Sequence, residues 1–562
     1  MSPNVTDFLA GGRLRPVLTL TLLIAAVFGP ALGFDFVRWD DPVNVTQNPL
    51  ITEPWSGALV EKILNGDTAL RFKPLPWLIY RGVYAVYGFN PAAWHGLSLV
   101  LHLGATLACW AVLRALLVRL QPETPRAATH FLAWLGAAVW AVHPAHIEPA
   151  TWVTATPYPL MVIFIAGSFW FYCRAMDPAD PAAARRNLTF AWLMALASYA
   201  TYPVGVTYGL WLMAVDIWIF RTAPRRGSTV TDAGRWLLRH AVFLAPAFAS
   251  AWITWQSTAT TPWLYPAPPS LAEVDLLIRL KMGAAMLGSV WTHFLWPFGM
   301  TPNNPILPAE MVRGPLIISF AAGTGLGLLI IWLRRKQWPG TAGVVFGSTL
   351  LALPVLGLGQ WPTWAVADRH VYLPHLVLTG AAVLGMARWW KNPATTPGWI
   401  LAALALVAGL AILGRQQVMI WRNTDTLFAY IEQQPAFAWN VSQQAHVYQL
   451  WAAHAQEGGR VETARGKNEQ ARQALQRGLI TAAEREAWAE AVDCSRQLEQ
   501  AFGLPPVFRR ERARWLLHLG RLTEAGVELQ QVGRELPDDA ATKSLTEDWR
   551  KRTGPDPNGN HL

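Results

Sequence analysis

Long apolar runs separated by short polar loops occupy roughly the first three quarters of the chain. The hydrocarbon core of a bilayer is about 30 Å thick, so an apolar helix of roughly 20 residues crosses it. The pattern predicts an all-α, polytopic membrane domain over residues 1–414 with about eleven transmembrane helices. The predicted spans are residues 16–34, 95–118, 131–147, 158–174, 188–202, 204–220, 241–256, 314–333, 341–358, 372–390 and 396–413.

Basic residues are concentrated in alternate loops between these runs. Cytoplasmic loops of membrane proteins carry an excess of lysine and arginine, which predicts a cytoplasmic N-terminus. An odd number of spans then places the C-terminal region outside, in a periplasm or an equivalent compartment. The residues that carry this signal are Arg114, Arg119, Arg126, Arg174, Arg185, Arg186, Arg221, Arg225, Arg226, Arg235, Arg239, Arg334, Arg335, Lys336, Arg388 and Lys391.

One apolar segment does not fit the alternation. Residues 276–300 are apolar enough to cross, but a span here would move the basic loop at 334–336 to the outer side. Arg279, Lys281 and His293 in this segment are typical of a helix that lies at the membrane surface. We therefore predict an amphipathic helix at the outer interface, with a further span as the alternative.

The last part of the chain, residues 415–562, has the pattern of consecutive amphipathic helices separated by glycine and proline. Residues 509–537 resemble one tetratricopeptide repeat, in which two helices pack around a turn, here at Gly520. Such repeats stack into a concave surface that binds a peptide or partner protein. The alternative is a helical cap that only stabilises the membrane part.

Composition supports this division. Hydrophobic residues make up 52% of the chain and charged residues 15%. The first 414 residues hold 27 basic and 17 acidic residues, and the last 148 hold 19 of each. The positive excess is spread over loops and forms no basic face, so nucleic-acid binding is not expected. Three cysteines provide neither a disulfide framework nor a cysteine-based zinc site. Residues 16–34 are interpreted as a membrane span and not as a cleaved signal peptide.

Candidate chemistry begins in the first outer loop, residues 35–76, where Asp40 and Asp41 follow the first span. A carboxylate in a polar loop beside the membrane can act as a general base or bind a metal ion. The pair is also typical of a turn or a helix cap because Pro42 follows it, and the spacing alone favours this structural role.

His143, His146 and Glu148 come at the end of the third predicted span, on the same outer side. Ionisable groups are costly against lipid, so they should face a cavity or each other. The two histidines have a spacing that could bind a metal, but Pro144 interrupts the helix and there is no HExxH motif. A hydrogen-bonded wall of a polar cavity is the preferred interpretation.

Asp368 and Arg369 lie in a second outer loop, residues 359–372. An arginine beside a carboxylate forms an internal ion pair or binds an anion such as phosphate, and Lys73 could add a second cation. Three remote segments thus bring carboxylates, imidazoles and cations to the same side of the membrane. This convergence predicts an active site between lipid and water.

The order of sequence blocks carries a resemblance. The blocks are WDDPVNVTQNP, FKPLPWLIY, GFNPAAWHGLSLVLHL, WAVHPAHIEPATWV, ADRHVYLP and the tetratricopeptide-like tail. This order resembles bacterial relatives of the TMTC-type and PMT-type O-mannosyltransferases of the GT-C superfamily. The resemblance implies a GT-C fold of eleven spans that takes sugar from a polyprenyl-phosphate donor at the outer membrane face.

By position, the resemblance implies that Asp40 is the general base and that Arg369 contacts the lipid phosphate, helped by Lys73. It further implies that Asp41 and Glu148 orient the acceptor hydroxyl, the base or, as the less favoured alternative, a divalent cation. His143, His146 and Asp368 complete the expected substrate-binding set, and no metal is assigned.

Two segments depart from the pattern of the relatives. TATPYP, residues 154–159, replaces a charged stretch, and His370 replaces an aromatic residue. A second hypothesis is therefore a catalytically inactive membrane anchor that presents the helical tail to periplasmic partners; a transporter is a weaker third. The expected location is the bacterial cytoplasmic membrane, and the expected partners are membrane lipid, the lipid-linked sugar and a protein acceptor.

Overall fold

The computed structural model describes residues 14–65, 72–176, 181–224, 228–260, 276–302, 339–356, 367–390 and 396–553, with Gly12 and several positions between 323 and 332. Every regular element in these residues is helical, which confirms the all-α fold class. The chain divides into two compact units, Met1–Leu427 and Phe428–Leu562.

The helices of the first unit are α1 (Leu14–Phe28), α2 (Pro49–Thr52), α3 (Gly57–Asn65), α4 (Pro74–Tyr87), α5 (Pro91–Leu120), α6 (Arg126–Val142), α7 (Ile147–Thr151), α8 (Pro157–Ala175), α9 (Pro181–Tyr199), α10 (Tyr208–Val215), α11 (Val230–Thr260), α12 (Leu276–Leu295), α13 (Pro339–Ala352), α14 (Pro374–Trp389) and α15 (Thr396–Ile420). Short helical turns at Pro42–Thr46, Pro144–His146, Val153–Ala155 and Asp368–Val371 lie between them. The helix α16 (Thr424–Glu432) spans the division between the units.

Prolines set where many of these helices begin. Pro74, Pro91, Pro157 and Pro374 each occupy the first turn of a helix. A helix leaves its first N–H groups unbonded, so a residue without an N–H is tolerated there. The Asn90 side chain adds a cap to α5 by accepting a hydrogen bond from the main-chain N–H of Ala92 at 3.1 Å.

Six helices of the described residues are long and apolar enough to cross a membrane, so the chain has the character of a multi-pass membrane protein. They are Leu14–Gly33, Pro91–Leu120, Val153–Ala175, Pro203–Phe220, Val230–Ser257 and Gly398–Ile420, and each overlaps a predicted span. The total of about eleven spans stays a prediction. Most of the predicted span 314–333 lies outside the described residues.

The predicted span 131–147 differs from the structure. Helix α6 ends at Val142, and His143 is extended, with φ −62° and ψ 127°. Proline disfavours a helical conformation of the residue before it, so Pro144 ends the helix there. The histidines and Glu148 consequently belong to the turns after α6 and not to a continuous membrane helix.

Burial separates inner helices from outer ones. In Val153–Ala175, 72% of the apolar 18-residue stretch that could cross the membrane is buried inside the protein. The corresponding share is 22% in Val230–Ser257 and 28% in Gly398–Ile420. The outer helices expose large apolar side chains, among them Phe248 at 71% and Leu401 at 70%. Such side chains are expected where a helix faces lipid. The inner helix α8 follows directly after the turns that carry the candidate site.

Helix α12 corresponds to the segment that the sequence places at the membrane surface. Its residues Met286 and Val290 are buried in one cluster with Val371 and Leu378, near the second outer loop. Leu276 and Leu280, at its other end, are 60% and 51% exposed. Its location at the outer interface stays a prediction.

The second unit contains α17 (Val441–Glu457), α18 (Val461–Glu484), α19 (Trp488–Phe502), α20 (Pro506–His518), α21 (Leu522–Glu535) and α22 (Ala540–Thr553), and each packs on the next. Gly520, with φ +72°, forms the turn between α20 and α21, as expected for residues 509–537. Its assignment as a tetratricopeptide-like domain stays a prediction. The predicted boundary at 414 falls inside α15, because this helix continues beyond its apolar run.

Candidate active site

Asp41 is a buried carboxylate whose oxygens are both occupied. Asp41 is only 1% exposed, and its Oδ2 accepts a hydrogen bond from the main-chain N–H of Val37 at 2.9 Å. Oδ1 accepts the hydroxyl of Thr154 at 2.6 Å and the main-chain N–H of Thr154 at 3.3 Å. Burial raises the pKa of Asp41 to about 6, against the lowering effect of these hydrogen bonds. Asp41 therefore ties the first outer loop to the turn Val153–Ala155.

Asp40 is the more accessible member of the acidic pair. It is only half-buried, whereas Asp41 is fully enclosed. Its main-chain carbonyl accepts hydrogen bonds from the main-chain N–H of Asn44 at 2.9 Å and from the side-chain amide of Asn44 at 3.1 Å. These bonds fix the backbone of Asp40.

Glu148 and Arg369 form a buried ion pair across 221 positions of sequence. The Arg369 main-chain N–H donates to Glu148 Oε2 at 2.9 Å, and Arg369 Nη1 donates to Glu148 Oε1. The Glu148 side chain is 2% exposed and the Arg369 side chain 14%. Burial would lower the pKa of Arg369, but the Glu148 carboxylate raises it above its ordinary value, and Asp40 adds to this effect. Asp40 thus lies within electrostatic reach of the guanidinium group.

The rest of the Arg369 environment orients its guanidinium group. Nη1 also donates to the carbonyl of Pro302 at 3.3 Å, and the guanidinium carbon lies 5.4 Å from the ring centroid of Trp152. Glu148 and Pro302 thus hold one terminal nitrogen of a group that has five donors. An arginine fixed in this way can offer its remaining N–H groups to an anion.

Asp368 is a second buried carboxylate beside the pair. It is 5% exposed, and its Oδ1 lies 3.9 Å from His293 Nδ1, which is too far for a hydrogen bond. Within the described residues, neither of these two atoms has a hydrogen-bond partner. Burial and the neighbouring Glu148 carboxylate raise the pKa of Asp368 well above its usual range, and Arg369 opposes this. A buried polar pair without partners favours a place where a substrate group binds.

Lys73 lies against the first outer loop. Its ammonium group donates to Asn44 Oδ1 at 2.8 Å and lies 4.2 Å from the ring centroid of Trp77. The residue is 5% exposed. Through Asn44 it supports the same backbone turn that holds Asp40.

His143 and His146 lie close together in spite of Pro144, because the turn Pro144–His146 folds the chain back. Their ring centroids are 5.2 Å apart, and a third ring, that of His375 on α14, lies 5.3 and 5.0 Å from them. All three residues are buried. His146 and His375 contact each other directly, with 3.0 Å between Nε2 and Nδ1.

The structure therefore brings the predicted residues together in two groups. The first group is centred on the guanidinium of Arg369: Glu148 pairs with it, Asp368 is its neighbour in the chain, and Asp40 is close enough to raise its pKa. Asp41 and Lys73 hold the loop that carries Asp40. The histidines form a neighbouring cluster, in which His146 lies two residues before Glu148.

Sequence reasoning missed three contributors: Thr154, His293 and His375. Thr154 belongs to the segment that departs from the relatives, and its hydroxyl and N–H now bind Asp41. His375 sits inside an apolar run one residue after a proline, and an ionisable residue in such a run is itself a signal for a polar interior. The sequence alone indicates for His293 only that it belongs to a helix at the membrane surface.

Comparison with known proteins supports the resemblance. The chain is 26% identical over 477 residues to Protein O-mannosyl-transferase TMTC4 of Homo sapiens, covering 75% of this chain and 62% of the relative. It is 22% identical over 453 residues to TMTC4 of Mus musculus, covering 71% and 59%. The chain thus spans about six tenths of the length of these curated relatives. The expected similarity to TMTC-type O-mannosyltransferases is confirmed.

A solved structure also aligns with the chain: ArnT from Cupriavidus metallidurans bound to undecaprenyl phosphate. Its sequence identity is 13% and its TM-score 0.36, over 87% of this chain and 81% of that chain. No profile of a protein family matches the sequence.

Proposed function

We propose that this chain is a GT-C-type membrane glycosyltransferase that moves a sugar from a polyprenyl-phosphate donor to an acceptor hydroxyl on the outer side of the membrane. The observation that carries the proposal is the position of Asp40, a half-buried carboxylate within electrostatic reach of the buried Arg369–Glu148 pair. A base for the acceptor and a cation for the leaving phosphate are the two groups that such a transfer requires.

In this mechanism Asp40 accepts the proton of the acceptor hydroxyl as the oxygen attacks the anomeric carbon of the sugar. The bond between that carbon and the phosphate oxygen breaks, and polyprenyl phosphate leaves with the bonding electrons. Because the attack is a single displacement, the configuration at the anomeric carbon inverts. Asp40 suits the role better than Asp41, because hydrogen bonds already occupy both oxygens of Asp41.

Arg369 meets the negative charge that grows on the departing phosphate. Glu148 keeps the guanidinium in place through two hydrogen bonds, one from the main-chain N–H and one from Nη1. A donor that is already oriented needs no reorganisation during the reaction, and this is the main source of its catalytic effect. Glu148 thus acts through Arg369, and Lys73 acts through the Asn44 turn beneath Asp40.

Asp368 and His293 are the groups through which the acceptor or the sugar would be held. Their facing atoms are buried, 3.9 Å apart and without hydrogen-bond partners in the described residues. A hydroxyl group between them could donate to one atom and accept from the other when the imidazole carries its hydrogen on Nδ1. We therefore propose Asp368, beside Arg369, in preference to Asp41 as the residue that orients the acceptor.

Similarity to proteins named O-mannosyl-transferases supports the reaction class. The proposal includes the bacterial cytoplasmic membrane as the location, the cytoplasmic N-terminus and an outer helical tail that binds a protein acceptor or partner. The sugar and the acceptor are the parts for the experiment to identify.

The test is to purify the full chain in detergent and incubate it with a panel of polyprenyl-phosphate sugars, measuring the released polyprenyl phosphate. We expect release with one class of sugar and a large loss in Asp40→Asn. Asp232→Asn is the matched control, because Asp232 is an exposed carboxylate at the start of α11 and only pairs with its neighbours Thr229 and Arg235. If no donor yields free carrier with the wild type, while a partner protein binds the tail, the inactive anchor replaces the enzyme.

A further inference from the structure

The three clustered histidines, His143, His146 and His375, form a site that the proposed reaction does not use. One candidate metal-binding atom from each lies within 4.8 Å of the other two. The residues are 2%, 1% and 0% exposed. They come from two remote parts of the sequence, the turns after α6 and the start of α14.

The hydrogen bonds of two of these rings fix where their hydrogens lie. His146 Nδ1 is 2.5 Å from the carbonyl of Trp140, and His375 Nε2 is 2.9 Å from the carbonyl of Val290. A carbonyl only accepts, so both of these nitrogens carry hydrogen. In the neutral rings the opposite nitrogens, His146 Nε2 and His375 Nδ1, then both carry lone pairs.

Those two lone-pair nitrogens face each other at 3.0 Å. Two acceptors at this distance repel each other unless a cation lies between or beside them. The cation can be a proton shared by the two rings or a metal ion bound to both.

His143 favours the metal over the proton. Its Nε2 lies 3.3 Å from the carbonyl of Phe294, and its Nδ1 receives only a long hydrogen bond, 3.3 Å, from the main-chain N–H of Ala145. A proton shared by His146 and His375 involves only two rings, whereas a metal ion also uses the third. In all three histidines one ring nitrogen contacts a backbone carbonyl, as in imidazole ligands of metal sites. The other nitrogens of His146 and His375 face each other, and that of His143 would exchange its long bond from Ala145 for the metal.

We propose that His143, His146 and His375 bind one divalent transition-metal ion of the zinc class. Zinc–nitrogen bonds of about 2.1 Å in a tetrahedral site separate the nitrogens by about 3.4 Å, so the cluster needs only a small adjustment. Imidazole ligands favour zinc, copper and nickel over magnesium and calcium, which prefer oxygen. A water molecule or hydroxide would complete the coordination, as in other three-histidine sites.

The site would act as a structural link beside the candidate active site. His146 precedes Glu148 by two positions, and His375 follows Arg369 by six. An ion bound to both segments would hold the two halves of the Arg369–Glu148 pair together. The proposal needs no sugar transfer, so it can be tested independently of the reaction.

The experiment uses the full chain, purified in detergent with an affinity tag that contains no histidine. The protein is treated with a chelator, dialysed, and titrated with Zn²⁺, and bound metal is measured by mass spectrometry. We expect one Zn²⁺ per chain, a higher thermal midpoint after loading, and a tetrahedral Co²⁺ absorption spectrum when cobalt replaces zinc. His375→Ala and His143→Ala should each lower the affinity at least tenfold.

His130→Gln is the control, because His130 is a buried histidine outside the cluster. It lies on α6, the helix that precedes the cluster, about 20 Å away by the helical rise of about 1.5 Å per residue. This variant should bind zinc like the wild type. Because the stripped wild type is titrated too, the test does not depend on the folding of any variant. Zinc binding to the wild type no stronger than to His143→Ala would overturn the site and leave the shared proton as the explanation.

Discussion

Two regions of this chain use buried ion pairs in opposite ways. In the tail, the side chain of Arg512 is 3% exposed and pairs with both Glu499 and Glu528, on the helices before and after it. At the candidate active site, one guanidinium, that of Arg369, is surrounded by Glu148, Asp40 and Asp368. In the tail each carboxylate lies within ion-pair distance of an arginine, and Glu499 also pairs with Arg509. At the membrane site, the ion-pair partner of Asp368 among the described residues is the imidazole of His293, 3.9 Å away.

This difference indicates what each cluster does. A network that only stabilises a fold is most favourable when each charge is compensated. Uncompensated buried carboxylates and imidazoles with unpartnered atoms cost stability, so they are found mainly where a substrate completes the arrangement. Asp368 and His293 have such atoms in the described part of the chain, and these atoms face each other. In the tail, Arg512 Nη1 also lacks a hydrogen-bond partner, but its guanidinium is ion-paired through Nη2. The predictions below test this distinction.

The largest expected effect is on catalysis. Asp40→Asn removes the proposed base while keeping the size of the side chain, so sugar release should fall by roughly 10²-fold to 10⁴-fold. The thermal midpoint should change little, because the carboxylate is half-buried and the main-chain carbonyl of Asp40, which holds the turn, is kept. Steady-state release of polyprenyl phosphate checks the rate, and differential scanning fluorimetry checks the fold. Turnover at the wild-type level would remove Asp40 from the mechanism.

The second effect combines stability and catalysis. Glu148→Gln leaves the buried guanidinium of Arg369 with a neutral partner, and removing one member of a buried pair costs about 3 kcal/mol. We expect a thermal midpoint several degrees lower and a slower transfer, because Arg369 loses its orientation. Glu469→Gln is the control, since that carboxylate is exposed at 43% and paired along one helix with Arg472. If both variants melt alike, the Glu148–Arg369 pair has no special role.

How much of this could be predicted from the sequence depends on the range of the interaction. The apolar runs predict the helices well, because each run carries its own signal. Pro144 could have been used to end α6, since its effect reaches only the preceding residue. The sequence also singles out the residues of the candidate site, because charges near the ends of apolar runs are conspicuous, and their roles stay predictions.

The partners of those residues could not be predicted. Glu148 was expected to orient the acceptor, but it binds Arg369, 221 positions away. A metal site at His143 and His146 is not favoured by the sequence, because Pro144 interrupts the helix and there is no HExxH motif. The third ring of the cluster, that of His375, lies 229 positions from His146. Such pairings arise from helix packing, for which a single sequence gives no local signal. Thr154 illustrates the same limit, since its contact with Asp41 follows from the turn Val153–Ala155.

A pH experiment tests whether burial raises the pKa of the Asp41 carboxylate. Burial raises the pKa of Asp41 to about 6 from an ordinary value of 3.8, so the folded chain holds this proton more tightly than the unfolded chain. The resulting stabilisation is fully present below about pH 4 and is lost as the pH rises through about 6. A shift of about two pKa units corresponds to at most about 3 kcal/mol.

The measurement compares thermal midpoints of the wild type and Asp41→Asn between about pH 4 and pH 7.5. The variant cannot ionise at this position, so the wild type should lose stability relative to it as the pH rises. Asp232→Asn provides the comparison, because Asp232 is exposed on α11 and the pH profile of this variant should follow that of the wild type. A constant difference between wild type and Asp41→Asn across the range would contradict the raised pKa.

The smallest effect is expected in the tail. Arg512→Met keeps the apolar stem but leaves Glu499 with Arg509 alone and Glu528 without its arginine. Because these carboxylates are 23% and 14% exposed, solvent compensates part of the loss, and we expect about 2 kcal/mol of destabilisation. Hydrogen–deuterium exchange of the full chain should become faster in α19, α20 and α21. Peptides that contain Glu148 and Arg369 should exchange as in the wild type.

Arg472→Met is the matched control, because Arg472 pairs with Glu469 on the surface of α18 and should leave the exchange unchanged. If Arg512→Met lowers sugar release as strongly as Glu148→Gln does, the charge networks of the two regions do not act independently. If it affects only the exchange of the tail helices, the compensated network stabilises the fold locally. In that case the buried Asp368 carboxylate, whose Oδ1 has no hydrogen-bond partner in the described residues, is the feature that separates a reactive cluster from a structural one.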